Sequence, residues 1–287
     1  MPGSLQGEGS RPKKFNRLAT FQRIKHTKVY FAEKKLIHMD RKYWEQIAPG
    51  YNEEIFDVLH NDKKALIRSA IRKIASPRKT VLDAGCAIGK WLPVLSPAFK
   101  KVIAADISAK NLAIAKRNYS YYTNVEYKRA DMSGRNSRLP KCDTVVCINA
   151  ILTHSLNKRI TFFKNLSSCL NKDGHLILVV PSLESWLMTR IIQSSWKIDE
   201  KLFVENLSGK EAIRRYRNIQ QGNAEIDNVP TKHYLREELE LLLSRDGFMV
   251  EHSKKIEYKW TTEFIDAPRW LKHPCPWDWL VIARKNK

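Results

Sequence analysis

Val81-Leu82-Asp83-Ala84-Gly85-Cys86-Ala87-Ile88-Gly89-Lys90-Trp91-Leu92 is the stretch that decides the fold. A short apolar strand runs into an acid, then into a loop with two glycines, then into a helix-like pattern. Glycines at 85 and 89 remove the Cβ atoms that would keep a ligand off the backbone, and they permit positive φ. The first N–H groups of the following helix lack intrahelical partners and point at whatever occupies the loop. Asp83 constrains that occupant. A carboxylate repels phosphate, so the loop suits a ligand with a positive charge or an amino group.

Outward from the loop, Lys101–Asp106 reads as a second strand whose terminal acid follows Asp83 by 23 residues. In dinucleotide-binding α/β units an acid about 20 residues past the glycine loop holds ribose hydroxyls. Val125–Asp131 reads as a third strand ending in an acid, and Lys141–Asn149 as a fourth. This ordered set resembles the class I S-adenosylmethionine-dependent methyltransferases over roughly residues 41–285.

The resemblance implies an α/β fold: a Rossmann-like, doubly wound, seven-stranded and mostly parallel sheet with an antiparallel last strand. It implies S-adenosyl-L-methionine as cofactor and S-adenosyl-L-homocysteine as product. By position, Asp83, Gly85, Cys86, Ala87 and Gly89 surround the methionyl part. Asp106, followed by Ile107, takes the ribose. Ala130, Asp131 and Met132 lie at the adenine, and Asn149 and Ala150 beside the sulfonium. Many family members carry glycine where this chain has Ala87. A nicotinamide-binding Rossmann domain is the alternative, and the missing third glycine of G-x-G-x-x-G argues against it.

The chain has 287 residues and a formal net charge of +21. That charge favours an anionic partner (RNA, an acidic substrate or a membrane surface), although solvated lysine faces are the plainer reading. No apolar run approaches the roughly 20 residues that span a bilayer, so no integral membrane segment is expected. The five cysteines form no C-x-x-C pair. This is the usage of a reducing compartment, taken as cytoplasmic, with neither a disulfide framework nor a metal site.

Two units are expected. Residues 1–39 form a basic N-terminal arm, partly disordered, in which residues 1–12 are rich in Gly, Ser and Pro. The arm reads as a strap across the domain, as a targeting segment, or in part as a cloning remnant. Residues 40–285 form the methyltransferase-like domain. Its opening, Asp40 to Tyr51, is similar to the W-x-x-x-A-x-x-Y helix and loop that covers the cofactor in many small-molecule methyltransferases, which makes Tyr43, Trp44 and Tyr51 either lid residues or core anchors.

Asp62 reads as the N-cap of a helix over 62–76. Asn157–Leu170 reads as a helix and His175–Ser182 as a buried fifth strand. Residues 183–232 form an insertion, read as a helical lid over the substrate, with a basic cluster at Arg214–Arg217. A surface decoration or a dimer contact is the other reading, and a homodimer stays open. Met249–Tyr258 and Asp278–Lys285 read as the last two strands. The loop between them, with Trp260, Trp270 and Trp277, reads as a pocket wall or as core.

Methyl transfer from a sulfonium is an in-line displacement in which positioning supplies much of the catalysis. A hydroxyl or protonated amine acceptor also needs a base. Candidates past strands four and five are His154, Glu184 and His233, with Tyr234 to orient the acceptor; each reads equally as structural. Nucleobase amino-methylating relatives carry N/D-P-P-Y/F at the tip of strand four. Here the tip is Asn149-Ala150-Ile151-Leu152. That tip disfavours nucleobase chemistry, and the N-terminal lid with the insertion after strand five resembles small-molecule methyltransferases, which implies an O, N or C acceptor of that class. The alternatives are RNA or protein gripped by the basic surface, or a non-catalytic protein that only binds the cofactor.

Overall fold

A computed structural model describes residues 39–135, 137–200, 208–226 and 229–286. The expected basic arm lies outside the described residues apart from Met39.

The chain enters through three short helices, α1 (Arg41–Ile47), α2 (Tyr51–Glu54) and α3 (Val58–Asn61), and then α4 (Leu66–Ile74). Asp40 caps α1 by accepting the Tyr43 N–H at 3.0 Å. Asp62 also caps a helix, but by an unexpected route. It stands four residues before α4, and its two carboxylate oxygens accept the N–H groups of Leu66 and Ile67 at 2.8 and 3.0 Å. The residue at the cap position itself is Ala65, at φ 53°.

The alternating units follow: β1 (Thr80–Ala84), α5 (Leu92–Leu95), β2 (Lys101–Asp106), α6 (Ala109–Asn118), β3 (Val125–Arg129), β4 (Cys142–Ile148), α7 (Leu156–Cys169) and β5 (Leu170–Pro181). The insertion supplies α8 (Leu183–Ser195), α9 (Gly209–Gln220), β6 (Asn223–Ile226) and β7 (Val229–Lys232). Then come α10 (Arg236–Arg245), β8 (Phe248–Glu257) and β9 (Trp277–Lys285).

Seven strands form one sheet in the order β3-β2-β1-β4-β5-β9-β8. The first five are parallel, and β9 runs antiparallel to both neighbours. The sheet is Rossmann-like, as expected. Its strands are apolar on both sides because helices cover both faces. Leu82, Ile103, Val145 and Leu178 face a layer that holds Phe163 of α7 and Leu239 of α10. Val81, Val102, Val146 and Ile177 face Ile67 and Ile71 of α4 and Leu112 of α6. Each fully buried aliphatic side chain contributes about 1.5–3 kcal/mol.

The direction of chain progression reverses between β1 and β4, and ligands of open α/β sheets bind in the crevice at such a switch point. The glycine loop leaves β1 at that crevice.

The insertion differs from expectation. It is not wholly helical, because β6 and β7 form an antiparallel hairpin. The hairpin is tied to the main body by the bridge Thr153↔Thr231, and the chain just after it by Ser182↔Tyr234. Gly222, at φ 69°, turns the chain from α9 into the hairpin. Pro230 sits in β7 opposite Glu225 of β6. Among the described residues no helix is long and apolar enough to cross a membrane.

Candidate active site

One cavity joins three parts of the chain. Its floor is the glycine loop (Gly85, Cys86, Ala87) with Asn149 at the tip of β4. One wall is the N-terminal helical segment, including Tyr43, Trp44 and Tyr51. The other is the insertion, with Trp186 and Thr189 of α8, Ile226 and Val229 of the hairpin, and His233. All three aromatics expected in a lid therefore border the cavity. The segment is pinned to the domain by Glu45, whose carboxylate accepts the Ala109 and Lys110 N–H groups at the start of α6. Negative charge is favoured at a helix N-terminus. A further clamp joins Asp57 to Lys90 at 2.8 Å. Burial raises the Asp57 pKa, but the Lys90 ammonium and the His60 N–H outweigh it and hold it below the usual value.

The floor is shaped by close approach. Gly85 has φ +79°, and a Cβ on it would lie 2.4 Å from the Cβ of Ala150. Gly85 and Cys86 both donate to the Ala105 carbonyl at the tip of β2, which holds the loop down. Ala87 adopts φ 47°, the left-handed region that favours glycine. Its N–H donates to Asp106 Oδ2 at 2.9 Å. The left-handed region costs an L-residue about 1–2 kcal/mol, and glycine returns roughly 0.4–1 kcal/mol of that through the unfolded chain. Ala87→Gly is thus expected to stabilise the protein by about 0.5–1 kcal/mol. Thermal unfolding measures it.

Two acids lie behind the floor. Asp83 is fully enclosed, and its Oδ2 has no hydrogen-bond partner within the protein. Burial and the nearby Asp106 carboxylate push its pKa up to about 7. Asp106 is raised by burial too, partly offset by hydrogen bonds from the Ser108 and Ala87 N–H groups. Asn149 sits at φ 48° and donates through Nδ2 to Asp278 at 3.1 Å, while its buried Oδ1 has no partner. The Tyr51 phenol is held well above its usual pKa by burial and by the charges of Asp106, Cys86, Asp57 and Asp83, so it remains a protonated donor.

The remaining expected cofactor residues stand further off. Gly89 packs against Leu92, Ala115 and Tyr119. Ile107 and Ala130 follow the ends of β2 and β3 and do not border the cavity. Asp131 is exposed, and its Oδ1 accepts from the backbone and hydroxyl of Ser133. Met132 is packed in the core.

Of the four catalytic candidates, only His233 borders the cavity. Its Nδ1 lies 2.9 Å from the Thr231 carbonyl, which can only accept. Nδ1 therefore carries the proton, and in the neutral ring Nε2 is the basic nitrogen. Glu184 is committed elsewhere: its oxygens accept from Ser182 Oγ, Trp279 Nε1 and the Arg236 N–H, tying α8 to α10 and β9. Tyr234 is fully buried against Phe163 and donates to the Ile151 carbonyl at 2.9 Å, so it is a core anchor and does not orient an acceptor. His154 lies outside the cavity lining, and its carbonyl receives Arg159 Nη1 at 2.7 Å.

The basic cluster of the insertion is largely neutralised. Arg214 and Arg215 pair with Glu211 and Glu225. Trp260, in the loop before β9, and Trp277, the first residue of β9, are buried, and Glu263 is the residue of that loop that reaches the cavity. The insertion was expected as a lid, but the α8 residues that line the cavity were not singled out from sequence. Ser185 and Thr189, and Trp186 and Arg190, are each one turn apart and all border the cavity. Their spacing of four is the signal that marks such a face.

Residues 81–174 match the model of a family described as a methyltransferase domain. Comparison with curated proteins gives no match. Among solved structures, the chain is similar to an S-adenosylmethionine-dependent methyltransferase from Anabaena variabilis, with TM-score 0.58 and 14% identity over 85% of this chain and 93% of that one. It is similar to the N-methyltransferase NodS from Bradyrhizobium japonicum in complex with S-adenosyl-L-homocysteine, with TM-score 0.57 and 10% identity over 86% and 98%. It is also similar to DhpI in a complex designated SAM-HEP, with TM-score 0.54 and 16% identity over 85% and 94%.

Proposed function

We propose that the chain is a class I S-adenosylmethionine-dependent methyltransferase, residues 81–174 matching a methyltransferase domain, and that it methylates a small-molecule O, N or C acceptor enclosed in the cavity described above. The observation that carries this reading is the continuity of the cavity. It joins the cofactor loop and Asn149 to Trp186, Thr189 and His233 in one space, walled by the N-terminal segment and the insertion.

The residues fit the cofactor. Asp83 Oδ2 and Asn149 Oδ1 are buried acceptors without a protein partner, and a ligand ammonium or hydroxyl supplies the missing donor. Gly85 leaves open a cradle that any Cβ would fill. The neighbours NodS and DhpI were solved with S-adenosyl-L-homocysteine and with SAM, ligands of this class. When bound, the cofactor supplies a methyl group already activated on a positively charged sulfur.

The chain's own residues then have three tasks. Asp83 and Asn149 fix one end of the cofactor, and Asp106 accepts hydroxyl protons beside the loop. Tyr43, Trp44, Tyr51 and Trp186 exclude water. His233 Nε2 takes the proton from a hydroxyl or ammonium acceptor, with Nδ1 held by the Thr231 carbonyl. A general base of this kind contributes about 10²–10⁴-fold. His233→Gln should therefore lower turnover by about 10²-fold or more, with cofactor affinity unchanged in titration calorimetry.

The paired state of Arg214 and Arg215 supports the small-molecule reading over a nucleic-acid grip. Buried free cysteines suit a reducing compartment such as the cytoplasm. The test is transfer of labelled methyl from S-adenosyl-L-methionine into an extract of the source organism, fractionated by size. Label in the small-molecule fraction is the expected result. Label removed by nuclease or protease would sink the small-molecule reading.

A further inference from the structure

Asn149 is held from behind by a buried acid that the proposed chemistry does not use. Asn149 follows β4 directly, and its N–H donates to the Val179 carbonyl of β5 at 2.8 Å. Its side chain reaches past β5 to Asp278 of β9, 129 positions away. Asp278 is fully buried and stands opposite Pro181 of β5 and Ile256 of β8. It does not border the cavity, whereas Asn149 does.

An asparagine amide has donors at one end and an acceptor at the other, and the two ends are nearly the same shape. Which end meets a ligand depends on what binds the other. A carboxylate only accepts. Asp278 Oδ2 takes Asn149 Nδ2 at 3.1 Å and the Tyr258 hydroxyl at 3.0 Å. The reverse amide would set Oδ1 against that carboxylate, acceptor on acceptor, in a buried place where mismatched polar groups cost most. The direction is therefore fixed. Nδ2 faces Asp278, and Oδ1 is left as a buried acceptor without a partner among the described residues.

A second acceptor of the same kind is close. Asp83 of β1 is in register with Val146 of β4, three residues before Asn149, and its Oδ2 is likewise buried without a partner. Both oxygens require donors. An ammonium carries three N–H donors and serves two acceptors at once.

We propose that Asp278 is a positioning residue: it locks the Asn149 amide so that Oδ1, together with Asp83 Oδ2, receives the ammonium at the amino-acid end of the cofactor. The inference rests on the S-adenosylmethionine reading of the cavity. Asp278 itself touches no ligand and acts through Asn149, with Tyr258 as the second donor on the same oxygen.

The test is calorimetric titration with two ligands. S-adenosyl-L-homocysteine carries the ammonium, and 5′-methylthioadenosine lacks the whole amino-acid end. Asp278→Leu removes the acceptor and frees the amide to turn. It should weaken S-adenosyl-L-homocysteine by about ten-fold or more, and leave 5′-methylthioadenosine within about two-fold. A merely structural role would weaken both alike. A second pair of variants keeps the side chains polar. Asn149→Asp suits the backbone at φ 48°, but it sets two buried carboxylates against each other and should lower the unfolding temperature. Adding Asp278→Asn exchanges donor and acceptor while the carboxylate at position 149 still offers an oxygen to the cavity. The doubly substituted protein should regain the unfolding temperature and bind S-adenosyl-L-homocysteine within about three-fold of wild type. This pair answers even where Asp278→Leu does not fold.

Equal effects on the two ligands in Asp278→Leu, or a loss of S-adenosyl-L-homocysteine affinity of about ten-fold in the exchanged pair, overturn the proposal. Wild-type protein that binds the two ligands equally well also overturns it and leaves the cofactor reading standing. Wild-type protein that binds neither overturns both.

Discussion

Gly85→Ala should lower the unfolding temperature by about 5–15 °C and abolish measurable cofactor binding, because about 2–5 kcal/mol is lost at one backbone position. Two costs add there. The φ of +79° places any side chain in the left-handed region. The new Cβ would also fall 2.4 Å from the Ala150 Cβ, far inside contact distance. The loop cannot move aside cheaply, since Gly85 and Cys86 both donate to Ala105 and Ala87 donates to Asp106. Gly247→Ala is the matched control: its φ is +85°, but nothing lies within 4 Å of the Cβ position. It should show the conformational cost alone. Adding Ala150→Gly to Gly85→Ala should recover the steric part, which a double-mutant cycle reads directly. If Gly85→Ala and Gly247→Ala unfold alike, the close approach to Ala150 is not a constraint.

Asp83→Asn should act in opposite directions on the free protein and on its complex. Asp83 has a folded pKa of about 7 against an ordinary 3.8. An acid with a raised pKa favours folding when protonated. Its contribution is fully present below about pH 4 and is lost as pH rises through 7. At pH 8 the ionised, buried carboxylate therefore costs the cofactor-free protein of order a few kcal/mol. The uncharged amide removes that cost, so the variant should be more stable than the parent at pH 8, by about 2 kcal/mol after the amide's own burial. Below pH 4 the gain disappears.

Cofactor affinity should fall by about 10–100-fold in the variant, the worth of a charge-assisted hydrogen bond. In the parent, affinity should rise with pH up to about 7 as the carboxylate forms, and in Asp83→Asn it should be flat. Calorimetric titration between pH 6 and 8.5 decides this. Equal affinity in the two proteins would remove Asp83 from the site.

The parallel sheet was legible because its signals are local. Strands that are mostly apolar, β3 excepted, repeat with helices between them, and the glycine loop sits at the first strand's end. β1 to β4 fall within two residues of their expected bounds, while β5 begins at Leu170, five residues before the expected His175. The insertion was less legible. Asn223–Ile226 and Val229–Lys232 are four-residue strands with a proline in one of them, too short for a period of two to stand out. Their strand state comes from pairing with each other and from the contact of Thr231 with Thr153, both non-local.

The catalytic candidates show the same division. Sequence spacing placed His154, Glu184, His233 and Tyr234 near the strand tips, where this fold binds ligands, and spacing alone could not rank them. The sequence by itself determined the sheet, its glycine loop and the order of its acids, since strand patterning and positive-φ glycines are properties of a few adjacent residues. Which side chain meets the cavity was decided only in three dimensions. Tyr234 is consumed by the Ile151 carbonyl 83 positions away, and Glu184 by Trp279 and Arg236 on other elements. His233 reaches the cavity because the hairpin returns to pair with the loop after β4. A side chain's direction depends on which distant groups satisfy its neighbours, and that is settled only when the elements pack.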